Sequence, residues 1–97
     1  MAEHANVVRV ARFRPAPDRR EELVNRLQSG VDGIRQRDGC FGAQICTSRE
    51  DPDAVVVISR WEQETALEQF LSDTAAQRSE AAALTREPPT TETFVSS

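Results

Sequence analysis

Tyrosine is absent from this 97-residue chain, and histidine occurs once, at His4. The aromatic side chains are therefore limited to four phenylalanines and one tryptophan. Histidine is the side chain that titrates near neutral pH at its ordinary pKa. Any acid–base chemistry away from the N-terminus would thus need a shifted acid, an activated thiol or a substrate that ionises readily.

Long apolar runs and an excess of basic residues are also missing. The longest apolar run covers residues 54–58, far short of the roughly 20 residues that a membrane span needs. Residues 1–6 show no basic region leading into an apolar stretch, so we expect no signal peptide. With 12 basic against 16 acidic residues, the net charge of -4 argues against binding to a phosphate backbone. We therefore expect a cytoplasmic protein that binds neither nucleic acid nor membrane.

Only two cysteines occur, Cys40 and Cys46, both in one segment that reads as a strand. Six strand residues span about 20 Å, whereas a disulfide tolerates about 7 Å between Cα atoms. We interpret both as reduced thiols. With His4 as the one histidine, we predict no metal site.

The length predicts a single domain over residues 1–97, with a core from about 7 to 95. A β-branched run predicts a first strand at Val7–Phe13. Asp18, followed by Glu21, predicts the N-cap of a helix that ends with Gly39 in a left-handed conformation. Apolar residues at helical spacing form its inward face: Leu23, Val24, Leu27, Val31 and Ile34.

The second half predicts a hairpin, a broken helix and a last strand. Residues 41–47 alternate, with Phe41, Ala43, Ile45 and Thr47 on one face, and a turn at 49–53 leads to a strand at 54–61. A helix should follow, with a break at 72–74 and a second capping box formed by Thr74 and Gln77. Thr90–Val95 completes a βαββαβ order, which predicts a ferredoxin-like α+β sandwich with a four-stranded antiparallel sheet.

The apolar residues 55–58 do not alternate with polar ones. A strand with one wet face should alternate, so we expect cover on both of its faces. Two helices cover one face of a small sheet. A second copy of the chain is then needed for the other face, which predicts a homodimer.

Several short motifs follow one another in an order that resembles a known family. They are Asp-Gly-Cys-Phe-Gly at 38–42, Asp-Pro-Asp at 51–53, Arg-Trp-Glu at 60–62 and Ala-Leu at 66–67. Together they resemble the antibiotic biosynthesis monooxygenase (ABM) domain over nearly the whole chain. The resemblance implies a dimeric α+β barrel. It also implies oxidation of a small phenolic or quinol-like aromatic by O2, with no metal, flavin or haem cofactor.

The resemblance suggests site residues, each with a simpler structural alternative. Trp61 and Arg60 are the catalytic candidates, although Trp61 could be a packing anchor and Arg60 an exposed strand end. Candidates for substrate binding are Asn6 and Phe70 and, from their places in the strands, Arg9, Gln44 and Ser59. Arg9 could instead face solvent or an ion pair across a dimer, and Gln44 and Ser59 could form a cross-strand pair. We assign Arg78 and Glu80 to a solvated helix face.

The chain also departs from the family pattern, and the departures keep other functions open. The second helix carries no histidine, and Phe70 and Glu80 stand where the haem-degrading branch has tryptophan and histidine, so we expect no haem. The alternatives to a monooxygenase are a non-redox isomerase or cyclase-like protein on the same fold, and a non-catalytic small-molecule-binding dimer.

Overall fold

The computed structural model of the protein describes residues 6–96, so His4 lies outside the described part. The elements are β1 (Val7–Phe13), α1 (Arg20–Ile34), β2 (Cys40–Thr47), β3 (Val55–Trp61), α2 (Glu64–Asp73), α3 (Ala75–Ala82) and β4 (Thr90–Val95). The strands form one antiparallel sheet in the order β2-β3-β1-β4. The predicted ferredoxin-like α+β fold is confirmed.

Alternation along the strands separates a helix-facing side of the sheet from an open side. In β3, Val55, Val57, Ser59 and Trp61 are buried beneath the helices. Their directly opposite partners share this side, because paired residues project to the same face. Arg9 pairs with Ser59 on β3 and with Thr93 on β4, which places Arg9 on the helix-facing side.

The core lies between this side of the sheet and the helices. Leu23, Leu27, Val31 and Ile34 recur along α1 at helical spacing and are all buried. This confirms the predicted apolar face of α1. Val24, the fifth residue of the predicted face, is partly buried and packs against the same core.

The opposite side of the sheet has no cover within residues 6–96. Its central side chains are apolar and half-buried, and they come from both middle strands: Val8, Val10, Val56 and Ile58. We call this surface the open face. The uninterrupted apolar run in β3 thus has helices on one side and the open face on the other.

Three local predictions need correction. Asp18 is not the N-cap of α1: it has a φ of 65°, and the helix starts at Arg20 after Arg19, with no side-chain cap. Phe41 does not continue the face formed by Ala43, Ile45 and Thr47, because the pairing shifts between Cys40 and Gly42 and leaves Phe41 42% exposed. Thr74 is the N-cap residue of α3, but its hydroxyl donates to the Phe70 carbonyl rather than forming a capping box.

Gly39 confirms the predicted left-handed conformation, with a φ of 82°, although α1 ends five residues earlier. A Cβ at Gly39 would lie 2.8 Å from that of Ala66 in α2. Glycine is therefore required both by the backbone and by the approach of α2. Over residues 6–96, none of the helices is long and apolar enough to cross a membrane.

Candidate functional site

A cavity of about 720 Å³ lies between the helix-facing side of the sheet and helices α1 and α3. Arg9, Ala11 and Phe13 of β1 form part of its floor, and α1 and α3 supply the walls. Its volume falls within the roughly 300–1,000 Å³ typical of small-molecule sites. The cavity is therefore large enough for a ligand of one to three fused rings.

Gly30 and Gly33 face this cavity from α1, and a Cβ at either position would have no atom within 4 Å. Larger side chains there would project into open space. The two glycines thus leave room for a ligand, at a cost in helix stability of up to about 1 kcal/mol each.

Part of the cavity lining is aromatic. Phe70 of α2 lines it and stacks against Trp61, with ring centroids 5.3 Å apart and planes inclined by 29°. Trp61 is fully buried, and its indole N–H donates to the Ser59 hydroxyl at 2.9 Å. The Trp61–Ser59 pair therefore fixes the ring against which Phe70 rests.

The charged side chains that line the cavity in the described part of the chain are all cationic. Among the described residues that line it are four arginines, Arg9, Arg26, Arg37 and Arg78, and no aspartate or glutamate. The chain as a whole carries a net charge of -4. The cavity thus has the opposite sign of charge to the protein that surrounds it.

Two of these arginines are neutralised by ion pairs. Arg26 of α1 reaches Glu80 of α3 at 2.6 Å, linking the helices that flank the cavity. Arg37 reaches Asp73 at 2.6 Å, and its guanidinium lies over the Phe70 ring, 5.6 Å from the centroid. Neither cation needs a ligand to balance its charge.

Arg9, unlike Arg26 and Arg37, has no ion pair with a carboxylate of residues 6–96. Burial lowers its pKa, and the positive charge of Arg78 lowers it further. No carboxylate within residues 6–96 offsets these two effects. Its guanidinium is half-buried on the cavity floor beside a second cation.

Arg78 is held in place by backbone and side-chain oxygens at the junction of α2 and α3. It donates to the Leu71 carbonyl through one terminal nitrogen and to the Thr74 hydroxyl through Nε, at 3.4 Å. These acceptors are neutral, so they orient the guanidinium without cancelling its charge.

The structure brings together only some of the residues suggested by the sequence. Arg9 and Phe70 line the cavity, whereas Trp61 and Ser59 form the buried layer next to it. Arg60 and Gln44 are exposed on the open face, on the other side of the sheet.

Asn6 precedes β1, where its side chain donates to the Glu62 carbonyl at 3.0 Å and its backbone pairs with Trp61 and Ser96. Its observed contacts are thus those of a residue that closes the end of the sheet.

Sequence reasoning missed Arg78, which it assigned to a solvated face. The signal that could have identified it is helical spacing: Ala75, Arg78 and Ala82 lie three and four residues apart and all line the cavity. Alanines give a weak inward signal because they occur on either face of a helix. In residues 6–96 no group of three or more His, Cys, Asp or Glu side chains could hold a metal ion.

Comparisons with known proteins agree with this architecture. The model of the antibiotic biosynthesis monooxygenase family matches residues 6–82. A comparison with curated proteins gives no match.

Similar solved structures extend over nearly the whole chain. Rv0793 of Mycobacterium tuberculosis is 24% identical, with a TM-score of 0.84 over 92% of each chain. A conserved protein of Methanosarcina mazei Go1 is 14% identical, with a TM-score of 0.87 over 98% of this chain and 97% of that one. A structure of an antibiotic biosynthesis monooxygenase is 17% identical, with a TM-score of 0.82 over 94% and 98%. At these identities the likeness concerns the fold.

Proposed function

The chain belongs to the antibiotic biosynthesis monooxygenase family, and from this premise we propose that it oxidises a phenolic or quinol-like aromatic with O2, without a metal, flavin or haem. The observation that carries the proposal is the cavity itself. It combines an aromatic wall, formed by Phe70, with cationic side chains on the adjoining surfaces. Such a site suits a flat, electron-rich ring that bears negative charge.

The proposed reaction converts one phenol and one O2 into one quinone and one water. The phenolate gives an electron to O2, and the two radicals combine to form a peroxide at a ring carbon. Loss of the hydrogen on that carbon, with cleavage of the O–O bond, leaves a carbonyl on the ring. One oxygen atom of O2 remains in the quinone, and the other leaves as water.

The described lining residues include no carboxylate, imidazole or thiol that could act as the base. The substrate must therefore ionise to solvent, and the protein would assist by stabilising the phenolate. The arginines that line the cavity supply positive charge for this purpose. Phe70 orients the ring by stacking, while Trp61 acts as a positioning residue that holds Phe70.

The proposal includes a homodimer formed through the open face. The centre of this face is apolar, whereas Arg12, Arg60 and Glu92 project from the same side near its periphery. A second copy, rotated by a two-fold axis, can cover the apolar centre and place arginines near a glutamate. Aligned packing of two such sheets gives a layer about 10 Å thick.

Oxygen consumption tests the proposed activity. We expect the protein to consume O2 with anthrone- or hydroquinone-type substrates and, with ¹⁸O2, to place one labelled atom in the quinone product. Phe70→Ala and Arg9→Gln should each lower kcat/KM by about tenfold or more. Arg49→Gln, in the exposed turn between β2 and β3, is the matched loss of charge outside the cavity. Absence of turnover across a broad panel of phenols would refute a monooxygenase.

The pH dependence gives a second test. Because the substrate rather than a side chain has to ionise, kcat/KM should rise with pH through the pKa of the phenol and then level off. Substrates of lower phenolic pKa should shift this rise to lower pH by the same amount. A bell-shaped profile that is independent of the substrate would require a titrating protein group and contradict the proposed mechanism.

A second candidate function is a binding module without catalysis. The observation that favours it is the same lack of a titrating side chain among the described lining residues. Stoichiometric binding of an aromatic ligand, with the ligand recovered unchanged under air, would support this alternative.

A further inference from the structure

We propose that the ligand of the cavity is an aromatic acid, with a carboxylate on its ring system held between Arg9 and Arg78. This inference deepens the proposed function and rests on it for the aromatic part of the ligand. It concerns a second group, ionised at neutral pH, besides the phenol that would be oxidised.

The charge balance inside the cavity is incomplete. Glu80 neutralises Arg26 and Asp73 neutralises Arg37, whereas Arg9 and Arg78 have no carboxylate partner within residues 6–96. Sixteen acidic residues occur in the chain. Two cations that face the same cavity without a carboxylate partner in the described part of the chain therefore favour binding of an anion from outside.

The charged form of Arg9 is disfavoured by its surroundings. Both its burial and its proximity to Arg78 disfavour the charged form, which is why its pKa lies below the ordinary value. The residues opposite Arg9 in the sheet, Ser59 and Thr93, are neutral and offer no compensation. A bound carboxylate would reverse the repulsion by lying between the two positive charges.

The arrangement also defines where the ring of such an acid would lie. Arg78 is fixed at the α2–α3 junction by the Leu71 carbonyl and the Thr74 hydroxyl. Phe70 belongs to the same junction, since the Thr74 hydroxyl donates to its carbonyl. A carboxylate on Arg78 would thus place an attached ring close to Phe70.

Anaerobic binding separates this inference from the oxidation. The probes are a hydroxynaphthoate and the neutral amide of the same acid, titrated calorimetrically into the full chain without O2. Wild-type protein should bind the acid at least tenfold more tightly than the amide, because a charge-assisted pair contributes about 1.5–3 kcal/mol and 1.4 kcal/mol corresponds to tenfold. The preference should weaken as the salt concentration rises.

Variants then identify the cations responsible. Arg9→Gln should reduce the acid-to-amide ratio to near one, Arg9→Lys should retain part of it, and Arg49→Gln should leave it unchanged. Arg9→Gln should also raise the thermal midpoint of the empty protein, because it removes a half-buried, repelled charge. Arg78→Gln loses contacts with the protein as well, so circular dichroism must first show that it is folded.

Each outcome supports or overturns the inference. Equal binding of acid and amide by the wild type, a preference that survives Arg9→Gln, or failure of both probes to bind would overturn it. Acid-selective binding without oxygen consumption would leave the inference standing and refute the monooxygenase. Oxidation of acidic and neutral phenols with equal kcat/KM would support the monooxygenase and overturn the inference that a carboxylate is bound.

Discussion

Trp61 stacks on Phe70 with ring centroids 5.3 Å apart, and of the two rings it is Phe70 that lines the cavity. Trp61 is completely buried, and its one polar atom is satisfied by Ser59. The tryptophan that closes β3 thus acts on the site through its neighbour. A substitution at Trp61 should lower stability directly and should affect ligand binding only through Phe70.

We expect Trp61→Phe to lower the free energy of unfolding by about 1–3 kcal/mol, because it removes the indole hydrogen bond and part of a fully buried side chain. Ser59→Ala should cost a similar amount, since it leaves the indole N–H unpaired. The double variant should lose less than the sum of the two single losses. Urea unfolding of all four proteins measures this coupling, and strict additivity would contradict it.

At Gly30, a small side chain should change stability, and a large one should change binding. Gly30→Ala should raise the free energy of unfolding by about 0.5–1 kcal/mol, because alanine is the better helix former and its Cβ meets no other atom. Gly30→Leu should fill part of the cavity and weaken binding of an aromatic ligand. Thermal unfolding and calorimetry measure the two effects. Asn25→Leu, on the exposed part of α1, is the control and should not weaken binding.

If the dimer forms through the open face, a charge at the centre of this face should weaken the dimer. Ile58→Glu should shift the monomer–dimer equilibrium at least a hundredfold towards the monomer, because a carboxylate buried without a partner costs several kcal/mol. Sedimentation velocity over a concentration series measures the shift. Val95→Glu introduces the same charge on the other side of the sheet, at an exposed position of β4, and should have little effect. A wild-type monomer at high concentration would refute the dimer.

The stabilising contribution of Asp73 should be lost in acid. Its hydrogen bonds from Arg37 and then Gln69 lower its pKa below the ordinary value in the folded protein. A carboxyl with a depressed folded pKa stabilises the fold above its unfolded pKa and loses that contribution as the pH falls through the folded pKa. Asp73→Asn should therefore be less stable than the wild type at neutral pH, and the difference should vanish as the pH falls from about 4 towards 2. Thermal midpoints measured over this range test it, and a constant difference would contradict it.

Strands and helix faces were predictable because burial there follows a simple repeat. β1 and β4 have the predicted bounds, and the inward residues of α1 recur at helical spacing. Asp18 and Phe41 could not be placed correctly in this way. A left-handed backbone at Asp18 and a pairing shift beside Phe41 are set by how the chain enters α1 and the sheet, and not by the residue type alone.

The candidate site was less predictable because it depends on contacts between distant segments. Arg9 and Phe70 were among the predicted residues, but nothing in the local sequence distinguishes Arg9 from Arg12, which lies on the same strand with the opposite orientation. The proximity of Arg9 and Arg78 arises because β1 and α3 border the same cavity. Pairing of Arg26 and Arg37 with acids likewise required the three-dimensional structure.

The interruption at Thr74 divides the segment after β3 into two helices with separate tasks. α2 carries Leu67 and Phe70 into the core, so its position is fixed by packing against the sheet. α3 buries a single alanine, Ala81, and otherwise borders the cavity. Mutations that tilt, shorten or lengthen α3 can thus accumulate without dismantling the core. This division offers a route by which one scaffold could acquire new ligand preferences during evolution while keeping its capacity to fold.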